Sequence, residues 1–332
     1  MQIEKEQLKK RFGDQVKFEE PLSKYTTFKI GGPAKVLLQP KSNEALMEAF
    51  RYVLDNDLPY FILGGGSNVL MSDDGFDGVV IRPRNIGLRV EGDTAYAEAG
   101  VVLGKLATMT AKAGLTGLEW GIAVPGNIGG AVRGNAGAFG GEIKDTLVSA
   151  QIFDGKDLRT FTNKEMDFVY RGSRVKHGDG HELVISATFK LEPADAKACQ
   201  AKVKELLDKK LKDQPMGEFC AGCLFKNIEV DGASKKLKLP SKGQPTARFM
   251  AEVPDDFWQK GKVPAGWLIE QVGLKGYGQN GVKVSEKHAN FLVNTGGAKA
   301  ADIHALAKLV QDKVKAKFGV ELEEEVEVLG SN

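Results

Sequence analysis

A chain of 332 residues, 42% of them hydrophobic, is long enough for two or three cores and too apolar to stay disordered. Its 46 basic and 44 acidic residues leave a formal charge of +2, so there is no one-signed field to recruit nucleic acid or an anionic membrane, and any anionic ligand has to be held locally. Three cysteines, Cys199, Cys220 and Cys223, are too few for a disulfide scaffold and read as thiols.

The first dozen residues are polar and charged, and no later segment runs eighteen apolar residues without a charge, so a cytoplasmic protein is expected. Residues 42–56 place Leu46, Met47, Phe50, Val53 and Leu54 at helical spacing, and the apolar run 58–63 after them reads as a strand. Gly64-Gly65-Gly66-Ser67-Asn68 interrupts the pattern before a second strand at 78–81. A helix is expected near 103–113. The stretch 121–131, with Gly121, Gly126, Gly129 and Gly130, is too glycine-rich for a stable isolated helix. Strands return at 147–153 and 183–191, and a boundary falls near residue 195. Beyond it, Val203, Leu207 and Leu211 form one helical stripe, and Ile303, Leu306, Val310 and Val314 form another that ends at Gly319. Between them, 228–264 carries Lys235, Lys236, Lys238, Lys242 and several prolines without a clear period, and reads as a loop excursion. A final strand is expected over 322–328.

Glycine loops after strands can turn successive N–H groups toward one point and hold a pyrophosphate. Gly64 to Asn68 has that form, but position 69 is Val, where a Rossmann fingerprint would need Gly. The second loop, with Gly126, Gly129, Gly130, Gly134 and Gly137, suggests a backbone lying close against something flat and extended, and Asn127 and Asn135 could bond ring or ribose edges. Two such loops imply a large cofactor.

The string Gly64-Gly65-Gly66-Ser67-Asn68-Val69-Leu70, then Pro125-Gly126-Asn127-Ile128-Gly129-Gly130-Ala131 and Gly134-Asn135-Ala136-Gly137-Ala138, resembles the cofactor half of the UDP-N-acetylenolpyruvoylglucosamine reductases. Thr26-Thr27-Phe28-Lys29-Ile30-Gly31-Gly32 is similar to that family's opening motif. The resemblance implies an α+β protein of the vanillyl-alcohol-oxidase type. Residues 1–85 and 86–195 would form two FAD-binding subdomains, 196–320 a substrate-binding domain with an insertion near 228–264, and 321–332 a C-terminal strand. It also implies noncovalent FAD, NADPH as hydride donor, and UDP-N-acetylglucosamine enolpyruvate as the small-molecule substrate in cell-wall precursor synthesis. A monomer is the working expectation.

Site roles follow from the same resemblance, residue by residue. The FAD contacts would be Gly64, Gly65, Gly66, Ser67, Asn68, Val69, Leu70, Pro125, Gly126, Ile128, Gly129, Gly130, Asn135, Ala136 and Gly137. In Tyr170-Arg171-Gly172-Ser173-Arg174, Arg171 would stabilise a developing aci-carboxylate, a task that suits its planar fork, with Tyr170 and Arg174 on the substrate. In Ala221-Gly222-Cys223-Leu224-Phe225-Lys226-Asn227, Cys223 stands where the family motif has Ser and would donate the proton to carbon; Lys226 and Asn227 would line the diphosphate and nicotinamide side. A thiol, with a reference pKa of about 8.5, suits a general acid. In Leu322-Glu323-Glu324-Glu325-Val326, Glu325 would orient or shuttle the proton, while Glu323, Glu324 and Glu327 read as a solvated face.

Cys220 and Cys223 have C-x-x-C spacing, but a second ligand pair is missing and no metal is expected. An extended segment would point the two thiols to opposite sides. His288, in Ser285-Glu286-Lys287-His288-Ala289-Asn290, stays unassigned. A flavin oxidase of the same fold and a catalytically silent FAD-binding protein remain alternatives.

Overall fold

The computed structural model describes residues 5–233, 236–238 and 243–330, which form two compact units. Unit 1 comprises the chain up to Pro21 with Pro33–Gly66 and Gly75–Leu211; unit 2 comprises Leu22–Gly32, Ser67–Asp74 and the chain from Lys212 onward. The division lies at 211/212, inside the helix Ala196–Asp213, rather than near 195, and two short segments from the N-terminal half belong to unit 2.

Unit 1 holds two sheets. In the first, Val16–Pro21 pairs antiparallel with Pro33–Leu38, which runs parallel to Phe76–Ile81, and that in turn to Tyr60–Ile62. The helix Asn43–Asp55 starts at Ser42, whose hydroxyl accepts the Ala45 N–H at 3.2 Å, and buries Leu46, Ala49, Phe50 and Val53 completely. The second sheet is antiparallel, in the order Leu158–Thr162, Leu147–Phe153, Leu183–Lys190, Thr94–Glu98, Leu88–Glu91. Each sheet has its own core, one around Phe50 and Val79, the other around Leu106, Ile128 and Phe189.

Unit 2 is built on the helix Ala300–Phe318, whose Ile303, Leu306, Val310, Val314 and Phe318 have no exposed surface. Gly319, at φ 73°, ends it in the left-handed conformation that glycine adopts without strain. A sheet of Gly278–Gln279, Val282–Val284 and Leu292–Asn294 and the helix Ala265–Gln271 share this core, together with Phe28 and Leu70.

Four elements differ from the sequence reading. The segment 228–264 is not a loop excursion: Ile228–Asp231 pairs with Lys236–Leu237 and Lys262–Val263, and two short helices, Ala247–Glu252 and Asp255–Gln259, bury Phe249 and Trp258. Lys236 and Lys238 are exposed, while Lys235 and Lys242 lie outside the described residues. In Ala196–Asp213 the buried positions are Cys199, Leu206 and Lys210, Val203 and Leu207 are half-buried beside them, and Leu211 is 45% exposed, so the inward face is rotated away from the Leu211 side of the predicted stripe. Within 121–131 a six-residue helix, Ile128–Arg133, does form, because Ile128 and Val132 are wholly buried. The last strand is shorter, Glu327–Leu329, and runs parallel to Val69–Met71, a strand the glycine-loop reading overlooked. No described helix is long and apolar enough to cross a membrane.

Candidate active site

The two glycine loops of unit 1 touch. A Cβ on Gly65 would lie 2.8 Å from the Gly126 Cα and 3.0 Å from the Asn127 Oδ1, so the two backbones meet where only glycine fits. The second loop is stitched to residues 99–103: Ile128 N–H donates to the Val101 carbonyl at 2.8 Å, Gly129 N–H to Ala99 at 3.0 Å, and the Asn127 amide to the Gly100 carbonyl at 2.5 Å. These N–H groups therefore bond the chain rather than pointing at a phosphate. Gly129 also packs on Ala99, whose Cβ would be 3.1 Å from an added methyl.

Gly64 and Gly130 are different. Neither has a positive φ; an added Cβ would meet only ordinary contact at Gly64 and nothing within 4 Å at Gly130. The chain itself does not require glycine there. Bare backbone at two points beside tightly packed loops fits a broad, flat ligand lying against them, which is the shape of a flavin dinucleotide. Ser67 to Leu70 belong to unit 2, where the Asn68 amide donates to the Glu325 carbonyl at 3.1 Å and Val69 and Leu70 are buried strand residues.

The Arg171 turn is tied to the residues that follow the second loop. Val169 and Gly172 exchange backbone hydrogen bonds at 3.1 and 3.2 Å, and Arg171 between them sits at φ 57°. That conformation costs about 1–2 kcal/mol for a residue with a Cβ, so contacts must hold it. They do: Arg171 Nη2 donates to the Gly137 carbonyl at 3.0 Å, Lys176 Nζ to the Arg171 carbonyl at 3.1 Å, and buried Ser173 Oγ to the Arg133 carbonyl at 2.7 Å. Asn135, fully buried, gives both amide hydrogens away, to Glu142 Oε2 and the Val169 carbonyl at 3.0 Å each, and its oxygen accepts the Lys144 N–H. It is a brace for the Arg171 turn instead of a partner for a ribose edge. Ala136 and Gly137 continue from it, half-buried, toward the hairpin of Gly137–Ala138 with Gly141–Glu142.

Tyr170 is half-buried, its ring 5.2 Å from the Arg171 guanidinium. Arg174 forks onto Glu182, at 2.6 and 3.2 Å, and stacks 4.0 Å from the Phe161 ring centroid, which makes it an anchor for the short helix Arg174–His177.

In unit 2 the Cys223 and Glu325 segments, about a hundred residues apart in sequence, lie side by side. Glu325 N–H donates to the Leu224 carbonyl at 2.7 Å, Lys226 N–H to the Glu323 carbonyl at 2.8 Å, and Phe225 bridges Glu324. Leu224 thus follows Cys223 in the chain and is bonded to Glu325, and both Cys223 and Glu325 are half-buried. Glu323, its side chain 41% exposed, also pairs its carboxylate with Lys226 Nζ. The Asn227 Oδ1 accepts the Ala265 N–H at 3.1 Å and so starts the helix Ala265–Gln271. Gly222, at φ 81°, bends the chain between the two cysteines, so the segment is not extended and the argument from opposite faces does not apply. Neither forms a disulfide. A buried asparagine that sequence reasoning left without a role, Asn290, bonds Leu224 and Phe225; its position in the string ending His288-Ala289-Asn290 was the available signal.

His288 supports Asn290 by accepting its N–H at Nδ1, 3.3 Å away. Burial holds the His288 pKa below its ordinary 6.5, with the Glu270 carboxylate opposing it. Below pH 6.5 the unfolded chain therefore binds more protons at this site than the folded one, so stability rises with pH there and is lost as pH falls from 6.5 toward the depressed value. Urea denaturation at pH 7.5 and 5.0 should show that loss, and His288→Gln should flatten the difference; an unchanged difference would exclude this histidine as its source.

A cavity of about 420 Å³ in unit 1 is lined by Trp120, Phe139, Lys202 and Lys209 among others, and none of the predicted site residues lines it. Among the described residues no group of three or more His, Cys, Asp or Glu could hold a metal.

Residues 34–159 match the FAD binding domain family, and residues 214–329 match the UDP-N-acetylenolpyruvoylglucosamine reductase C-terminal domain. The UDP-N-acetylenolpyruvoylglucosamine reductase of Carboxydothermus hydrogenoformans is 40% identical over 98% of both chains, and that of Bacillus velezensis 36% over 98% of both. The solved UDP-N-acetylenolpyruvylglucosamine reductase (MurB) of Thermus caldophilus superposes with a TM-score of 0.73 at 31% identity, covering 95% of this chain and 98% of its own. The α+β, vanillyl-alcohol-oxidase type of fold follows from the FAD-domain match and that likeness. Carrying an FAD binding domain and matching these reductases along nearly its whole length, the chain belongs to the UDP-N-acetylenolpyruvoylglucosamine reductase family of oxidoreductases.

Proposed function

We propose that the protein reduces UDP-N-acetylglucosamine enolpyruvate to UDP-N-acetylmuramate with NADPH, in peptidoglycan precursor synthesis in the cytoplasm. The observation that best supports the reading is the pairing of two segments about a hundred residues apart, in which the Glu325 N–H bonds the carbonyl of Leu224, the residue after Cys223, and so brings the backbones that carry the proposed proton donor and its acid partner together. FAD would lie against Gly64–Gly66 and Gly126–Gly130, with Ser67, Asn68, Val69, Leu70, Pro125, Ala136 and Gly137 around it, and would supply the hydride-transfer chemistry between NADPH and the substrate.

The chain supplies the remaining chemistry. Arg171, already fixed in orientation by Gly137, presents positive charge to the carboxylate of the enolpyruvyl group as negative charge builds there. Cys223 gives its proton to the substrate carbon, and Glu325 orients that proton and helps restore it. Lys226 and Asn227 serve the diphosphate and nicotinamide side, with Lys226 exchanging Glu323 for a phosphate. Tyr170 borders the substrate, and Arg174 acts through Glu182 to hold the Arg171 turn. The test is NADPH consumption by the yellow, FAD-loaded protein with and without the enolpyruvyl substrate. Substrate-independent consumption with peroxide formation would instead identify an oxidase.

The flavin part of the reading has its own test. Gly130→Ala is expected to stabilise the FAD-free protein by about 1 kcal/mol, since alanine is the better helix former and nothing in the chain opposes its methyl. It should also weaken FAD binding, because the methyl occupies the face reserved for the ligand. Thermal denaturation and flavin titration read the two effects separately; unchanged FAD affinity would remove Gly130 from the binding surface.

A further inference from the structure

Asn290 is 2% exposed, and its hydrogen bonds converge on the two residues after Cys223. Its backbone carbonyl accepts the Leu224 N–H at 2.7 Å. Its side-chain oxygen accepts the Phe225 N–H at 3.0 Å, and its amide donates to the Phe225 carbonyl at 2.8 Å. One side chain thereby grips both polar groups of one residue, as a neighbouring strand would. The opposite edge of the same short stretch is held by 323–325: the Leu224 carbonyl accepts the Glu325 N–H at 2.7 Å, and Lys226 N–H donates to the Glu323 carbonyl at 2.8 Å.

Leu224 is therefore the shared reference for Cys223, one residue before it, and for Glu325, bonded to it. Only Asn290 fixes it from the other side in these contacts, and Asn290 is in turn held by the His288 ring. A buried amide has few ways to satisfy its donors and acceptor, so this grip is stiff. We propose that Asn290 is a positioning residue for the reaction: it sets the spacing of the Cys223 thiol and the Glu325 carboxylate without touching substrate or cofactor. The proposal rests on the reading of Cys223 as proton donor.

The test uses Asn290→Asp, which keeps the shape and the acceptor but sets an oxygen against the Phe225 carbonyl, in FAD-loaded full-length protein. Displacing a catalytic group by about 1 Å costs on the order of 10²-fold. The expected result is bleaching of the flavin by NADPH within about twofold of wild type, with return of colour on adding substrate slowed on the order of 10²-fold. A residue that acts through Cys223 has nothing left to act on in Cys223→Ala, so the double variant should be no slower than Cys223→Ala alone. Iodoacetamide labelling, read peptide by peptide, should show the Cys223 rate changed by about fivefold or more, with buried Cys199 as internal reference.

Equal loss in both phases together with a fallen melting temperature would reduce Asn290 to a structural residue and overturn the proposal. So would single effects that multiply in the double variant, or an unchanged labelling rate. If Cys223→Ala itself spares the substrate phase, the donor reading fails, and the labelling rate alone then decides whether Asn290 positions Cys223. Asn290→Ser is run in parallel; if neither variant folds with FAD, the positioning role is rejected in favour of a folding one.

Discussion

Cys223→Ala is expected to leave the bleaching of the flavin by NADPH nearly intact while slowing overall turnover of the enolpyruvyl substrate by about 10²–10⁴, the usual contribution of a positioned acid. The asymmetry follows from where the proton is needed. On the proposed roles NADPH would meet the flavin without help from the thiol, whereas the substrate carbon would have to be protonated before product could leave. Stopped-flow absorbance separates the two phases, and equal losses in both would contradict the role. Cys223→Ser should retain substantial activity, because the Leu224 and Phe225 backbone bonds to Glu325 and Asn290 do not depend on the side chain at 223. It should also resist peroxide better than wild type, since a hydroxyl cannot climb the thiol oxidation ladder. Parallel inactivation of wild type and Cys223→Ser by peroxide would place the sensitive group elsewhere.

What the sequence discloses and what it conceals divide along physical lines. The helix Ala300–Phe318 is legible because its stripe repeats for five turns on one face. Ala196–Asp213 is longer than most helices yet its inward face is only partly legible: Val203 and Leu207 are half-buried, but Lys210 takes the place expected of Leu211, its stem buried like a hydrophobe while its letter reads as polar. The fold of 228–264 is concealed because strands of two to four residues and helices of five or six are too short to show a period. At the site, the glycine loops announce a large ligand, but which glycines face it does not follow from their letters. Gly65 is glycine because Gly126 lies against it, whereas nothing in the chain opposes a side chain at Gly130; both facts depend on residues distant in sequence. Asn127 and Asn135 illustrate the same limit, as their amides are engaged by Gly100, Glu142 and Val169. The nearness of Cys223 to Glu325 was readable only through motif resemblance, since no local pattern joins them.

The folded state of 228–264 makes a second large effect predictable. Trp258 is 2% exposed, its ring edge-on to Phe249 at 5.8 Å; Phe249 meets Phe318 at 6.1 Å, and Phe318 meets Trp267 at 5.9 Å. The same segment closes the end of the central helix. Thr246 N–H donates to the Phe318 carbonyl at 2.9 Å and its hydroxyl to the Lys317 carbonyl at 3.1 Å, and a Cβ on Gly319 would lie 2.2 Å from the Gln244 carbonyl oxygen. Removing the indole therefore opens a cavity against the helix that organises unit 2. Trp258→Ala should cost about 3–5 kcal/mol, the range for a buried large aromatic. Trp258→Phe should cost much less: the Trp258 Nε1 has no hydrogen-bond partner among the described residues, and burying such a group carries a penalty of about 1–3 kcal/mol that the phenyl ring avoids. Urea denaturation followed by circular dichroism measures both variants. A loss below about 1 kcal/mol for Trp258→Ala would mean the segment can detach without disturbing the core, whereas the expected loss makes it part of the frame that holds Asn290, Cys223 and Glu325 in register.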